Sequence, residues 1–275
     1  MNHLTPAEIL SAMTKTGVVK AQSSFRKLFI MGIMAGAFIS FAGAASTMGA
    51  FNLLAEPATF GLGRILCGAI FTGGLVMVTL AGAELFTGNT LIAIAVIDKR
   101  ARLSSMLRNW LIVYIANFLG SLLVAWLIYN SGILGGGDGL MGAVTVKIAA
   151  GKVNMTFLQH LASGVLCNWL VCLAVWCAAG APATAGKVLA VFFPIWLFAT
   201  CGFEHCIANM YFISAGIFAA ANEAFVSASG AASEALAALD FGGMFLRNLL
   251  PVTLGNIIGG LLMVACGYRF ALKNK

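Results

Sequence analysis

Four stretches of the chain, near 28–47, 110–129, 157–181 and 248–268, run almost free of polar residues. Each is long enough for a helix to cross a bilayer, which takes about 20 mostly apolar residues. Two longer runs, roughly 65–97 and 188–221, are each interrupted once by a carboxylate, Glu84 in the first and Glu204 in the second. At about 1.5 Å per residue, an unbroken helix of either length would overshoot a hydrocarbon core of about 30 Å. The pattern therefore predicts an all-α polytopic membrane protein of six spans, with the second and fifth broken. Ahead of the first span, residues 1–24 read as a polar helix, with no apolar stretch before a small-residue cleavage site.

Composition agrees with that pattern. The chain is 61% hydrophobic and only 9% charged, where a soluble domain is about half apolar and about a quarter charged. A soluble enzyme is excluded. The positive charges set an orientation. With the N-terminus inside, Lys15, Lys20, Arg26, Lys27, Lys99, Arg100, Arg102, Arg108, Lys187, Arg269, Lys273 and Lys275 are cytoplasmic, 12 of the 16 Lys and Arg. The net charge of +7 is this bias, and nothing in it points to nucleic acid. The seven cysteines include no C-x-x-C, and Cys167, Cys172 and Cys177 fan around one helix, so they read as separate reduced thiols. No metal-ligand cluster, Walker loop or dinucleotide fingerprint occurs, so no cofactor is expected.

The chain also repeats itself. GAELFTGNT (82–90) and GFEHCIANM (202–210) share G-x-E-x-x-x-x-N. RNWLIVYIANFLGSLL, from Arg108, and RNLLPVTLGNIIGGLL, from Arg247, share R-N-x7-N-x2-G-x-L-L. Phe25 and Gly32 in the first span match Phe157 and Gly164 in the fourth. The order is the same in both, so the chain is a duplication of three spans, about 25–130 and 155–270, joined in one transmembrane domain over 25–270. Three is odd, so the second copy enters the membrane inverted.

Broken helices in matching positions point to a site at mid-membrane. Their second pieces are expected to begin near Asn89 and Asn209, with Asn as the capping residue. Two helix N-termini then converge, each with roughly +0.5 charge and free N–H groups, a setting that selects anions. Glu84 and Glu204 are expected to accept hydrogen bonds from loop N–H groups and hold the breaks rigid, with a direct proton role as the alternative. His205 has two readings: an imidazole satisfied by its loop, or a pore-lining donor that titrates near neutral pH. Leu85 occupies its place in the first repeat, and this missing twin favours the pore. Thr87 is the natural hydroxyl partner from the other loop, or a plain loop-stabilising residue. Lys152 is a surface lysine or a charge that draws anions inward. Asn168 is helix–helix glue or pore lining. His160 reads as interfacial, and His3 lies in the tail.

ELFTGN (84–89), LCNWLVCLAVW (166–176), GFEHCIANM (202–210) and PVTLGNIIGG (251–260) together resemble the formate/nitrite transporter family. The resemblance covers about residues 20 to 270. It implies an aquaporin-like fold, a homopentamer with one pore per protomer, and passage of formate, nitrite or hydrosulfide, passive or proton-coupled. By position, Thr87 and His205 would be the central polar pair, with Lys152 and Asn168 above them. Phe71, Leu75, Leu85, Phe86, Val171 and Phe198 would be the apolar constrictions. Residues 1–24 would be able to gate the inner mouth, and 271–275 would form a cytoplasmic tail. The setting implied is a bacterial cytoplasmic membrane. A membrane-embedded enzyme using Glu204 and His205 lacks a nucleophile or metal set; an ammonium or neutral-solute channel is another rival, in which a cation would be disfavoured by the converging positive helix ends.

Overall fold

A computed structural model describes residues 2–272, which form twelve main helices, a short 3₁₀ turn at Ile133–Gly135 and no strand. The N-terminal half runs α1 (Pro6–Ala21), α2 (Phe25–Ala55), α3 (Phe60–Ala81), α4 (Phe86–Ile97, loosened at Thr90–Ile92) and α5 (Leu103–Asn130). The C-terminal half runs α6 (Leu140–Val153), α7 (Phe157–Gly180), α8 (Thr184–Cys201), α9 (Cys206–Ala219) and α12 (Phe241–Leu272). Two short helices, α10 (Glu223–Ser229) and α11 (Ser233–Ala237), fill the long connection before α12. Helices α2, α3, α5, α7, α8 and α12 are each long and apolar enough to cross a membrane.

Small residues at the contacts let the spans approach closely, while large apolar ones fill the interior and cover the outward faces. Gly120 of α5 packs on the Ile33 carbonyl of α2, and its twin Gly259 of α12 packs on the Val165 carbonyl of α7, so a Cβ at either would meet backbone. Apolar helices in lipid gain little from burying more apolar surface, so such close backbone approach is what draws them together. The outward faces keep Leu111, Leu158 and Leu246 exposed.

The two breaks are short. Gly82 (φ 82°) and Gly202 (φ 77°) end α3 and α8 in the left-handed conformation, where a side chain would be strained. The chain runs extended to Leu85 and His205, and the second pieces begin at Phe86 and Cys206. The expected starts at Asn89 and Asn209 are thus one turn too late. Neither Asn is a cap, because other residues satisfy the first N–H groups. Nor is either break central in its helix: 22 residues precede the first and 12 follow, against 18 and 14 for the second.

Ser24 and Thr156 cap α2 and α7 from equivalent positions. The helix before each, α1 and α6, is therefore also duplicated, and each copy consists of one non-spanning helix followed by three spans, the second of them broken. Helix α1 packs against the last turns of α12 on one face, here called the terminal face. There Arg269 of α12 pairs with Asp98 after α4, whose other oxygen accepts from Thr14 of α1 at 3.4 Å. The expected tail lies mostly outside the described residues, and Lys273 and Lys275 with it.

Candidate functional site

Each break is held by the same set of side chains. In the first, Glu84 accepts hydrogen bonds from Lys20 at 2.7 Å and Asn89 at 2.8 Å, and Asn89 also donates to Asn109 at 2.9 Å. In the second, Glu204 accepts from Lys152 at 2.7 Å and Asn209 at 2.6 Å, and Asn209 donates to Asn248 at 2.8 Å. Asn109 donates to the Lys20 carbonyl, and Asn248 to the Lys152 carbonyl. A second amide works on the helix start. Asn117 accepts the Phe86 N–H at 3.0 Å and donates to Gly32 and Glu84 carbonyls. Asn256 accepts the Cys206 N–H at 2.9 Å and donates to Gly164 and Glu204 carbonyls. Backbone groups freed by a break inside an apolar phase each cost several kcal/mol unless paired, and this network pairs them twice over.

The carboxylates therefore do hold the breaks, but through side-chain donors. The expected loop N–H partners are engaged elsewhere: Glu84 N–H donates to the Met31 carbonyl and Glu204 N–H to Ser163 Oγ. Lys20 had no assigned role in the sequence. Its equivalence with Lys152 is legible once the motif is extended upstream, because K-x3-[S/T]-F-x6-G fits both Lys20 to Gly32 and Lys152 to Gly164.

Two cavities flank the breaks. One, of about 180 Å³, is walled by Lys152, Arg64, Phe71, Phe198, Glu204 and His205. The other, of about 420 Å³, opens beside α1 and is walled by Lys20, Lys187, Leu75, Leu85 and Glu84. Phe71 and Phe198 meet edge to face, centroids 5.7 Å apart, and Phe198 lies over the His205 ring at 6.0 Å. Between the cavities, Thr87 Oγ1 and His205 Nε2 are 3.1 Å apart. Arg64 binds the Ala199 and Thr200 carbonyls that end α8, so its charge offsets the negative helix end facing the same cavity.

Other expected site residues lie apart from this line. Phe86 packs edge-on against Trp110 and Tyr114 and walls neither cavity. As the first residue of α4, it turns toward α5 rather than into the gap. Val171 is buried and likewise walls neither cavity. Asn168 donates to the Thr87 and Asn256 carbonyls at 3.2 and 2.7 Å, so its amide ties the two breaks together. His160, expected at an interface, is fully buried against the second brace, its Nδ1 4.0 Å from Glu204. Among the described residues, no group of three or more His, Cys, Asp or Glu is placed to hold a metal.

Comparison with known proteins gives this arrangement a family. The family model described as formate/nitrite transporter matches residues 7–270. The chain belongs to the formate/nitrite transporter family. It is 36% identical to a probable formate transporter of Methanothermobacter thermautotrophicus, covering 97% of this chain and 96% of the relative. It is 35% identical to the formate channel FocA of Haemophilus influenzae, covering 98% and 95%. A pentameric formate channel with formate bound superposes at a TM-score of 0.77 and 34% identity, covering 90% of this chain and 97% of that one. This formate/nitrite transporter is thus a multi-pass membrane protein built from two inverted copies, with its broken helices meeting between two cavities.

Proposed function

We propose that this chain is a channel for small monovalent anions, formate first among them, with one pore in each protomer of a homopentamer. The pore runs from the Lys152 cavity past Phe71 and Phe198, between Thr87 and His205, past Leu75 and Leu85, and into the cavity beside α1. The observation that carries this reading is the Thr87–His205 pair at the meeting point of two helix starts. His205 Nδ1 accepts the Ala208 N–H at 3.1 Å, so the ring proton sits on Nε2 and is donated to Thr87 Oγ1. The Thr87 hydroxyl proton is then free to be donated to an anion. Backbone N–H groups at both helix starts add the same sign of field.

A formate ion crossing the phenylalanine ring pair loses water before it gains these donors. A proton taken from the outer solution before that point removes most of the desolvation cost, since a neutral acid is far cheaper to dehydrate than an ion. The resting imidazole has given its one lone pair to a backbone N–H, so it orients and stabilises, and the proton travels with the anion. The terminal face is cytoplasmic on the positive-charge count, and the Lys152 cavity faces outward. There α1, which walls the inner cavity with Met13, Thr16, Gly17 and Lys20, is the segment placed to gate it.

Flux into proteoliposomes tests this reading. Formate, nitrite and hydrosulfide are expected to enter and to compete with one another, with formate the most effective competitor, while ammonium is excluded. Dominant ammonium flux would overturn it, and a stronger block by nitrite or hydrosulfide would reassign the substrate within the family.

A further inference from the structure

The two braces match residue for residue: Lys20 and Lys152, Glu84 and Glu204, Asn89 and Asn209, Asn109 and Asn248. One position beside them does not match. In the α2–α7 alignment that pairs Gly32 with Gly164, His160 takes the place of Leu28. Both side chains are fully buried. A leucine therefore suffices to pack this place, and the imidazole adds something that packing does not require.

What it adds is a titratable group against a charge pair. His160 Nδ1 lies 4.0 Å from Glu204 Oε2 and 3.5 Å from the Asn248 amide nitrogen, and Nε2 has no partner although it is buried. The charged groups packed against it are Glu204 from the break and Lys152 from α6; α12 presents the neutral amide of Asn248. With His160 neutral, the charges of Lys152 and Glu204 cancel, and Glu204 Oε1 holds the ammonium at 2.7 Å while Oε2 accepts from the neutral amides of Asn209 and Asn248. With His160 protonated, the cluster carries one net positive charge, the carboxylate is shared between two cations, and the Lys152 ammonium is held less tightly at the cavity wall.

We propose that His160 is a positioning residue for anion entry: it shares Glu204 with Lys152 and thereby sets how much positive charge the Lys152 cavity presents. This rests on the anion-channel reading above. Protonation makes the cavity more attractive to anions, so His160 adds an acid-enhanced component to uptake that is separate from the central Thr87–His205 pair. One extra charge about 10 Å from the ion in a partly solvated protein changes its local concentration by roughly threefold to tenfold.

The test is formate flux in proteoliposomes from pH 5 to 8, with wild type, His160→Leu and His160→Gln. Leucine is the natural choice because Leu28 fills the equivalent place, and Gln keeps a polar group without a proton switch. Both variants are expected to match wild type near pH 8 and to fall behind by about threefold or more at pH 5. The loss should appear in the half-saturating formate concentration and leave the maximal rate unchanged. Parallel pH profiles in wild type and both variants would overturn the proposal and leave His160 as packing. If wild-type vesicles pass none of the anions at any pH, the channel reading itself falls, and this proposal with it; normal wild-type flux with parallel profiles removes His160 alone.

Discussion

At the scale of single residues, the informative contrast is between groups that have a twin and groups that do not. Glu84 and Glu204 have one, and both are consumed in holding a break. His205 has none, and it faces Thr87 across the gap between cavities. The sequence already carried this distinction, because Leu85 stands where the twin of His205 would be. It did not carry the fate of Asn168 or Phe86. Phe86 turns toward α5 because of how α4 leaves its break, a rotation that a linear pattern does not hold, and Asn168 takes the first of its two readings, tying α7 to the Thr87 and Asn256 carbonyls. The donor role of Thr87 is open to a direct check. Thr87→Ser keeps the hydroxyl and should retain most formate flux, whereas Thr87→Val removes it at nearly constant volume and should lower flux by about tenfold or more, the worth of roughly one hydrogen bond to a charged group. Equal flux from the two variants in proteoliposomes would mean that the hydroxyl does not touch the anion.

At the scale of elements, the two breaks are the costly part of the fold, and two asparagines from neighbouring spans make them tolerable. Asn117 and Asn256 each accept one helix-start N–H and donate to two carbonyls. Replacing either by Ala leaves buried backbone groups unpaired, each at about 1–3 kcal/mol, and the two variants should lose similar stability because their surroundings match. Midpoint temperatures of the purified protein, read by loss of its size-exclusion peak after heating, would show this. A large difference between the two would mean that the braces are not equivalent. The motifs containing these residues were visible as repeats, since identity at fixed spacing survives in sequence. Their task was not visible, because it depends on which carbonyl of a neighbouring span lies opposite. Lys20 was missed for a simpler reason: it sits on a helix that does not span, upstream of where the apolar pattern begins.

At the scale of the whole molecule, the duplicated unit is a non-spanning helix followed by three spans, and the non-spanning helix supplies the cation. Cutting away α1 therefore does more than open the inner cavity, because it also strips Lys20 from Glu84, whose side chain is only 8% exposed. Removing one partner of a buried pair costs about 3–5 kcal/mol. A truncation lacking residues 2–21 should be unstable, and the same truncation with Glu84→Gln should recover stability and pass formate freely if α1 is the gate. Recovery of stability without any rise in flux would leave α1 as a brace alone.

The order of these groups along the chain also bears on how the protein is made. Lys20 precedes Glu84 and Lys152 precedes Glu204, while Asn109 and Asn248 follow them. As the nascent chain emerges, each carboxylate meets a countercharge already synthesised, so neither has to enter the apolar phase as a bare ion. Asn109 and Asn248 come with the next span, so neither brace is complete until α5, and then α12, has been made.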